Sequence, residues 1–108
     1  MYEYKDLYTI DFRNVEHYFE AHFAIRDALD FPHYYGCNLD ALWDCLTDMV
    51  GRPIHIELIG IEVIEAKFDD FADRLIEIFR EFKHYGNDKY ANEIHIEVVR
   101  GSQRVYIH

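Results

Sequence analysis

Apolar and polar positions alternate near the start of the chain, where Tyr8, Ile10 and Phe12 enclose Thr9 and Asp11. A period of two sends successive side chains to opposite faces, and it predicts a first strand. The period then lengthens. Val15, Tyr18, His22, Ile25 and Leu29 fall at helical spacing behind Asn14, a side chain able to cap a first turn, and predict a helix to about Asp30. Phe31-Pro32 stops that helix, because a residue before proline is pushed out of the helical region. Tyr34-Tyr35-Gly36 reads as a loop in which Gly36 is free to take a positive φ. Helical spacing returns behind Asn38, the predicted cap of a second helix running to about Val50 and closed by Gly51 and Pro53.

Ile54, Ile56 and Leu58 alternate with His55 and Glu57, and Ile94, Ile96 and Val98 alternate with His95 and Glu97. Each set predicts a strand, and both contain the tetrad Ile-His-Ile-Glu. Ile59 to Lys67 fits either an extension of the second strand or a short helix. Asp69 or Asp70 then caps a third main helix whose stripe is Phe71, Leu75, Ile78, Phe79 and Phe82, ended by Gly86. Gly101-Ser102-Gln103 turns the chain into Val105-Tyr106-Ile107, a short fourth strand in a hairpin with the third. Strands joined by helices imply parallel pairing with right-handed crossovers. Their alternation implies one sheet face against helices and the other in water. The pattern predicts a small two-layer α/β domain spanning residues 1–108, without linker or repeat array.

Composition adds a sign of charge. Against 11 bases stand 21 acids, a net charge of −10, which argues against direct contact with nucleic acid or an anionic membrane and favours a basic partner. The opening MYEYKDLYTIDF lacks a basic, then apolar, leader pattern, so no signal peptide is expected. No apolar run approaches the roughly 18–20 residues of a membrane span. Cys37 and Cys45 are separated by about 12 Å of helical rise, beyond the ~7 Å that a disulfide tolerates, so free thiols in a reducing cytoplasm are expected. With no CxxC pair there is no zinc framework. His55 and His95, beside Glu57 and Glu97, read as polar residues on a solvated sheet face, and His22 as a satisfied, half-buried histidine. No cofactor or metal site is expected.

The second helix carries the distinctive chemistry. At about 100° per residue, Leu39, Leu42, Leu46 and Val50 share a core stripe, while Asp40, Asp44, Thr47 and Asp48 share the opposite arc. Trp43, the only tryptophan, lies at the seam. Like charges four residues apart cost a helix roughly 0.2–0.5 kcal/mol per pair. Asp40 in the first turn complements the helix dipole, but Asp44 and Asp48 do not, and no lysine or arginine shares their arc. A charged helix face is ordinarily a solvated one, yet local stability would not select this row, and a cationic partner would. Of Tyr34 and Tyr35, one is expected to pack beneath the loop and the other to extend the acidic patch. Exposed carboxylates lack the burial that would tune an acid–base pair, and no nucleophile–histidine motif or phosphate-binding glycine loop is present, so the chain reads as a non-enzyme.

Tyr34-Tyr35-Gly36 followed by Asn38-Leu39-Asp40-Ala41-Leu42-Trp43-Asp44-Cys45-Leu46-Thr47 closely resembles the signature segment of the barstar family, intracellular inhibitors of secreted ribonucleases such as barnase. Phe79-Arg80-Glu81 is a second, weaker match. The resemblance covers about residues 7 to 99 and implies a barstar-like fold, a small mainly parallel three-stranded sheet with helices packed on it. Here that fold gains a short extra C-terminal strand. The resemblance also implies that the acidic helix and the loop before it plug a basic active site in a 1:1 complex. Asp44 would take the place of a substrate phosphate and Asp40 would make a second acidic contact. Tyr34, Asn38, Leu39, Trp43 and Thr47 match other interface positions, and Glu81 matches an acidic contact from the later helix. Asp48 and Met49 stand where the family has a small residue and an aromatic, and His33 and Cys37 stand where it has acids. Asp48, Met49 and Tyr85 form the rim, where specificity between partners is set. The expected partner is a barnase-like ribonuclease or a toxin nuclease, the alternative being an immunity or antitoxin protein for a different nuclease. Either would act in the cytoplasm.

Overall fold

The computed structural model describes residues 7–50, 53–90 and 94–108. The alternating segments form β1 (Leu7–Asp11), β2 (Ile54–Ile59), β3 (Ile94–Arg100) and β4 (Gln103–Tyr106), in the sheet order β1-β2-β3-β4. β1, β2 and β3 run parallel, and β4 returns antiparallel on β3, as expected. The two Ile-His-Ile-Glu tetrads lie side by side in register, from Ile54 beside Ile94 to Glu57 beside Glu97. The helical segments form α1 (Tyr18–Leu29), α2 (Leu39–Thr47), α3 (Ile61–Lys67) and α4 (Phe71–Tyr90). The ambiguous connection after β2 is therefore strand through Ile59 and then a short helix. Gly60 starts that helix at φ 81°, where a Cβ would press within 2.8 Å of the Arg13 backbone nitrogen. The helices bury their stripes on one sheet face, and Ile10, Ile56, Leu58 and Ile96 there have no exposed surface.

Helix ends depart from the sequence reading in two places. α1 starts at Tyr18 rather than just behind Asn14, because the chain first turns on Asp11, whose carboxylate accepts the Arg13 backbone N–H at 2.9 Å. The Glu20 carboxylate then does the capping, accepting the N–H groups of Glu16 (2.9 Å) and His17 (2.7 Å), which hold its carboxyl below the usual range. α4 runs through Gly86 to Tyr90 instead of ending there. Gly86 is buried where α4 meets β3, and a Cβ on it would run into the Ile94 side chain and lie 3.2 Å from Val50. Glycine is needed at that position for close approach, not for termination. Gly51, read as a helix stop, lies outside the described residues.

The second sheet face also departs from expectation. Glu57 and Glu97 are not solvated; they are 9% and 6% exposed. Arg104 reaches back from β4 across β3 and donates from Nη1 to both carboxylates, at 3.0 Å for Glu97. Thr9 donates its hydroxyl to Glu57 at 3.1 Å, and His55 Nε2 lies 3.5 Å from Glu97. The Arg104 hydrogen bond is the main cause holding the Glu57 carboxyl below its ordinary value. His95 remains exposed.

Candidate protein-binding site

The loop before α2 separates its two tyrosines. Tyr35 is 7% exposed; its backbone N–H donates to the Pro32 carbonyl at 3.0 Å, its ring meets Phe31 at 5.4 Å, and its hydroxyl lies 2.8 Å from His22 Nδ1. Tyr34 is 87% exposed. The inward member of the pair anchors the loop, and the outward member is presented. The left-handed residue in this loop is Cys37 at φ 52°, not Gly36 as the sequence suggested. Gly36 serves instead by lacking a side chain, since a Cβ there would sit 3.3 Å from Asn38 Nδ2 and 3.4 Å from the Ala41 Cβ.

Asn38 caps α2 as expected. Its Oδ1 accepts the Ala41 N–H at 2.8 Å, and its Nδ2 donates back to the Gly36 carbonyl at 3.2 Å. One side chain thus ties the presented loop to the helix start. α2 ends at Thr47, short of Val50. Thr47 donates its hydroxyl to the Asp44 carbonyl at 3.0 Å, and Met49 N–H bonds the Leu46 carbonyl at 2.9 Å, tightening the last turn. Asp48 is therefore the C-cap residue rather than a helix-interior one.

The predicted sorting of α2 appears in burial. Leu42 and Leu46 are fully buried, Leu39, Trp43 and Thr47 are half-buried, and Asn38, Asp40, Asp44 and Asp48 are exposed. Among the described residues, none of these aspartates forms an ion pair, nor does Glu81. Their field reaches the flank of the helix, where the Cys45 thiol is pushed up by its burial and then by Asp48 and Asp44. Cys37 and Cys45 are both free thiols.

α4 packs beside α2 through an edge-on contact of Trp43 with Tyr85, ring centroids 5.6 Å apart. Glu81 is exposed one turn earlier on α4, on the same side as Tyr85. The Trp43–Tyr85 pairing and the His22–Tyr35 bond were not legible from sequence. The available signals were a tryptophan at the seam of α2 and a histidine inside the α1 stripe. Exposed, unpaired carboxylates accept hydrogen bonds only, and several spaced along one helix suit a set of guanidinium or ammonium donors. Among the described residues, no group of three or more histidine, cysteine, aspartate or glutamate side chains is placed to hold a metal ion, and no helix is long and apolar enough to cross a membrane.

Comparison with known proteins bears on the same segment. The family described as "Barstar (barnase inhibitor)" matches residues 6–98. A Bacillus subtilis (strain 168) protein named "Putative ribonuclease inhibitor YrdF" is 40% identical over 80 residues, which cover 74% of this chain and 85% of the relative. The order of strands and helices, the Asn38-capped acidic helix and the family match agree. The chain belongs to the barstar family.

Proposed function

We propose that this protein is a stoichiometric inhibitor of a ribonuclease, acting as a single domain that seats α2 and the loop before it in the enzyme's basic active site. The observation that carries this reading is the row of Asp40, Asp44 and Asp48, exposed and, among the described residues, without an ion pair, beside the outward Tyr34. An enzyme that cleaves RNA must hold phosphates, so its site is cationic. Carboxylates replace phosphate there through charge-assisted hydrogen bonds. Asp44 is the central anion, and Asp40 flanks it. Tyr34, Asn38, Leu39, Trp43 and Thr47 supply the surrounding contacts, Glu81 approaches from α4, and Asp48 lies at the edge. The family and the name of the Bacillus relative support this assignment. No turnover or cofactor is involved, the complex is 1:1, and the site of action is the cytoplasm of the cell that makes the nuclease.

In this reading the rim consists of Asp48 at the helix end, Met49 after it and Tyr85, which packs against Trp43. The second reading, an immunity or antitoxin role against a different nuclease, turns on this rim, where specificity between partners is set. Calorimetry with barnase and with any small nuclease encoded beside this gene tests both. Tight 1:1 binding that Asp44→Ala weakens by at least about two decades is the expected result. An absence of binding to every ribonuclease, with binding to another nuclease, would move the function to the second reading.

A further inference from the structure

We propose that His22 is an acid-sensitive latch on the loop that presents Tyr34, so that protonating His22 releases the loop and weakens inhibition; the second half of this proposal rests on the inhibitor reading above. His22 has no exposed surface. Its Nδ1 lies 2.8 Å from the Tyr35 hydroxyl and its Nε2 lies 3.2 Å from the Tyr18 hydroxyl. A neutral imidazole has one donor and one acceptor, so both nitrogens are satisfied by the two hydroxyls. Tyr35 is in turn the buried anchor of the loop, adjacent in sequence to the outward Tyr34 and upstream of the Asn38 cap. The latch therefore sits directly behind the presented surface.

An imidazolium has two donors and no acceptor. Whichever tyrosine had been donating to the ring must then turn its O–H away. Tyr18 is partly exposed and can turn to water, but the Tyr35 hydroxyl is enclosed. In either tautomer, a positive charge is shut inside the protein. The groups around the ring are the Tyr18 hydroxyl from α1, the Tyr35 hydroxyl from the loop and the Phe71 ring from α4, at 5.5 Å. Cys37 and Cys45 act on Tyr35, whose hydroxyl is itself pushed up by burial. Among the described residues, no carboxylate is placed to compensate an imidazolium, and burial alone pulls His22 below its ordinary value of 6.5.

The sign of the effect follows from linkage. With the loop closed, His22 resists protonation; with the loop open, it meets water and regains its ordinary affinity. Closure is at full strength above pH 6.5 and is lost as pH falls from there through the closed-state value, by about tenfold per pH unit. Below the closed-state value the loss levels off.

The test uses the free protein and then its complex. His22 ring shifts and amide exchange at Tyr35, whose N–H is held by the Pro32 carbonyl in the closed loop, are followed by NMR from about pH 7.5 to 5, with Ile56 and Ile96 as sheet controls. The expected result is that loop exchange, corrected for intrinsic rate, rises about tenfold per unit below pH 6.5 while the sheet stays protected. His22→Gln keeps a donor and an acceptor without titrating, and it should flatten the loop profile. An unchanged profile in that variant overturns the latch. If the variant does not fold, coincidence of the His22 and loop midpoints in the natural chain supports the proposal, and separate midpoints overturn it. Weaker ribonuclease binding over the same interval, absent in His22→Gln, is expected of the complex. A latch that titrates as stated in a protein that binds no ribonuclease at any pH supports the latch and overturns the inhibitor reading alone.

Discussion

Asp44 and Asp48 share one face of α2 but differ in setting. The Asp44 carbonyl accepts bonds from both Thr47 and Asp48, which fixes its backbone inside the helix, whereas Asp48 is the C-cap residue itself. On the inhibitor reading proposed above, Asp44 would be the carboxylate driven deepest among the enzyme's cations, and truncating one partner of such a desolvated pair costs about 3–5 kcal/mol. Asp48 at the edge would stay wet on the same reading, where exposed pairs give about 0.2–1 kcal/mol. Asp44→Ala should therefore weaken ribonuclease binding by at least about two decades, and Asp48→Ala by less than one decade, in parallel calorimetric titrations. The free protein should respond in the opposite sense. Each substitution removes like-charge repulsion worth roughly 0.2–0.5 kcal/mol per neighbouring pair, so urea midpoints should hold or rise slightly. A variant that gains stability while losing affinity marks a residue kept for its partner. A loss of both would point to a structural role for Asp44.

The elements show where sequence suffices and where it does not. The strands were legible because alternation is local, and α2 was legible because Asn38, the apolar stripe and the aspartate row all fall within one short segment. Asn38→Ala should cost about 1 kcal/mol in denaturant unfolding, the usual loss of an N-cap. It should also raise amide exchange at Ala41, whose N–H loses the Asn38 Oδ1 acceptor, and at Tyr35 in the loop, since the same side chain bonds the Gly36 carbonyl. The start of α1 was misread because Asn14 and Glu20 both offer capping chemistry. The choice fell to Glu20 once Asp11 had turned the chain. The end of α4 was misread because Gly86 looks like a terminator in any local window, while its actual neighbour is Ile94 on β3. The candidate site divides the same way. Its acidic row was visible as a helical period, but the burial of Tyr35 rather than Tyr34 depends on His22, a contact between separate elements.

For the molecule as a whole, charge acts at two ranges. At long range the net charge of −10 should steer the protein to a cationic target, and the association rate should fall steeply between about 50 and 500 mM salt in stopped-flow experiments while dissociation changes less. At short range the sheet face away from the helices holds two glutamates in register on adjacent strands, and Arg104 is the guanidinium between them. That residue lies on β4, beyond the segment that the family match covers. With Arg104 in place the Glu57 carboxyl titrates below its ordinary 4.5. A lowered folded value contributes stability that is complete above 4.5 and disappears as pH falls through the folded value, so the natural chain should lose stability on acidification through that interval. Arg104→Ala reverses the local logic. Two nearly buried carboxylates then face each other without the guanidinium, with the His55 ring 3.5 Å from Glu97 as the basic neighbour left among the described residues, which lowers stability at neutral pH, and protonating one of the carboxylates relieves the repulsion. Urea midpoints at about pH 7 and pH 4.5 should therefore converge between variant and natural chain. Glu97→Gln in the Arg104→Ala background should recover part of the loss at neutral pH. A variant that stays equally destabilised at both pH values would show that β4 contributes through packing and strand pairing instead of through this charge cluster.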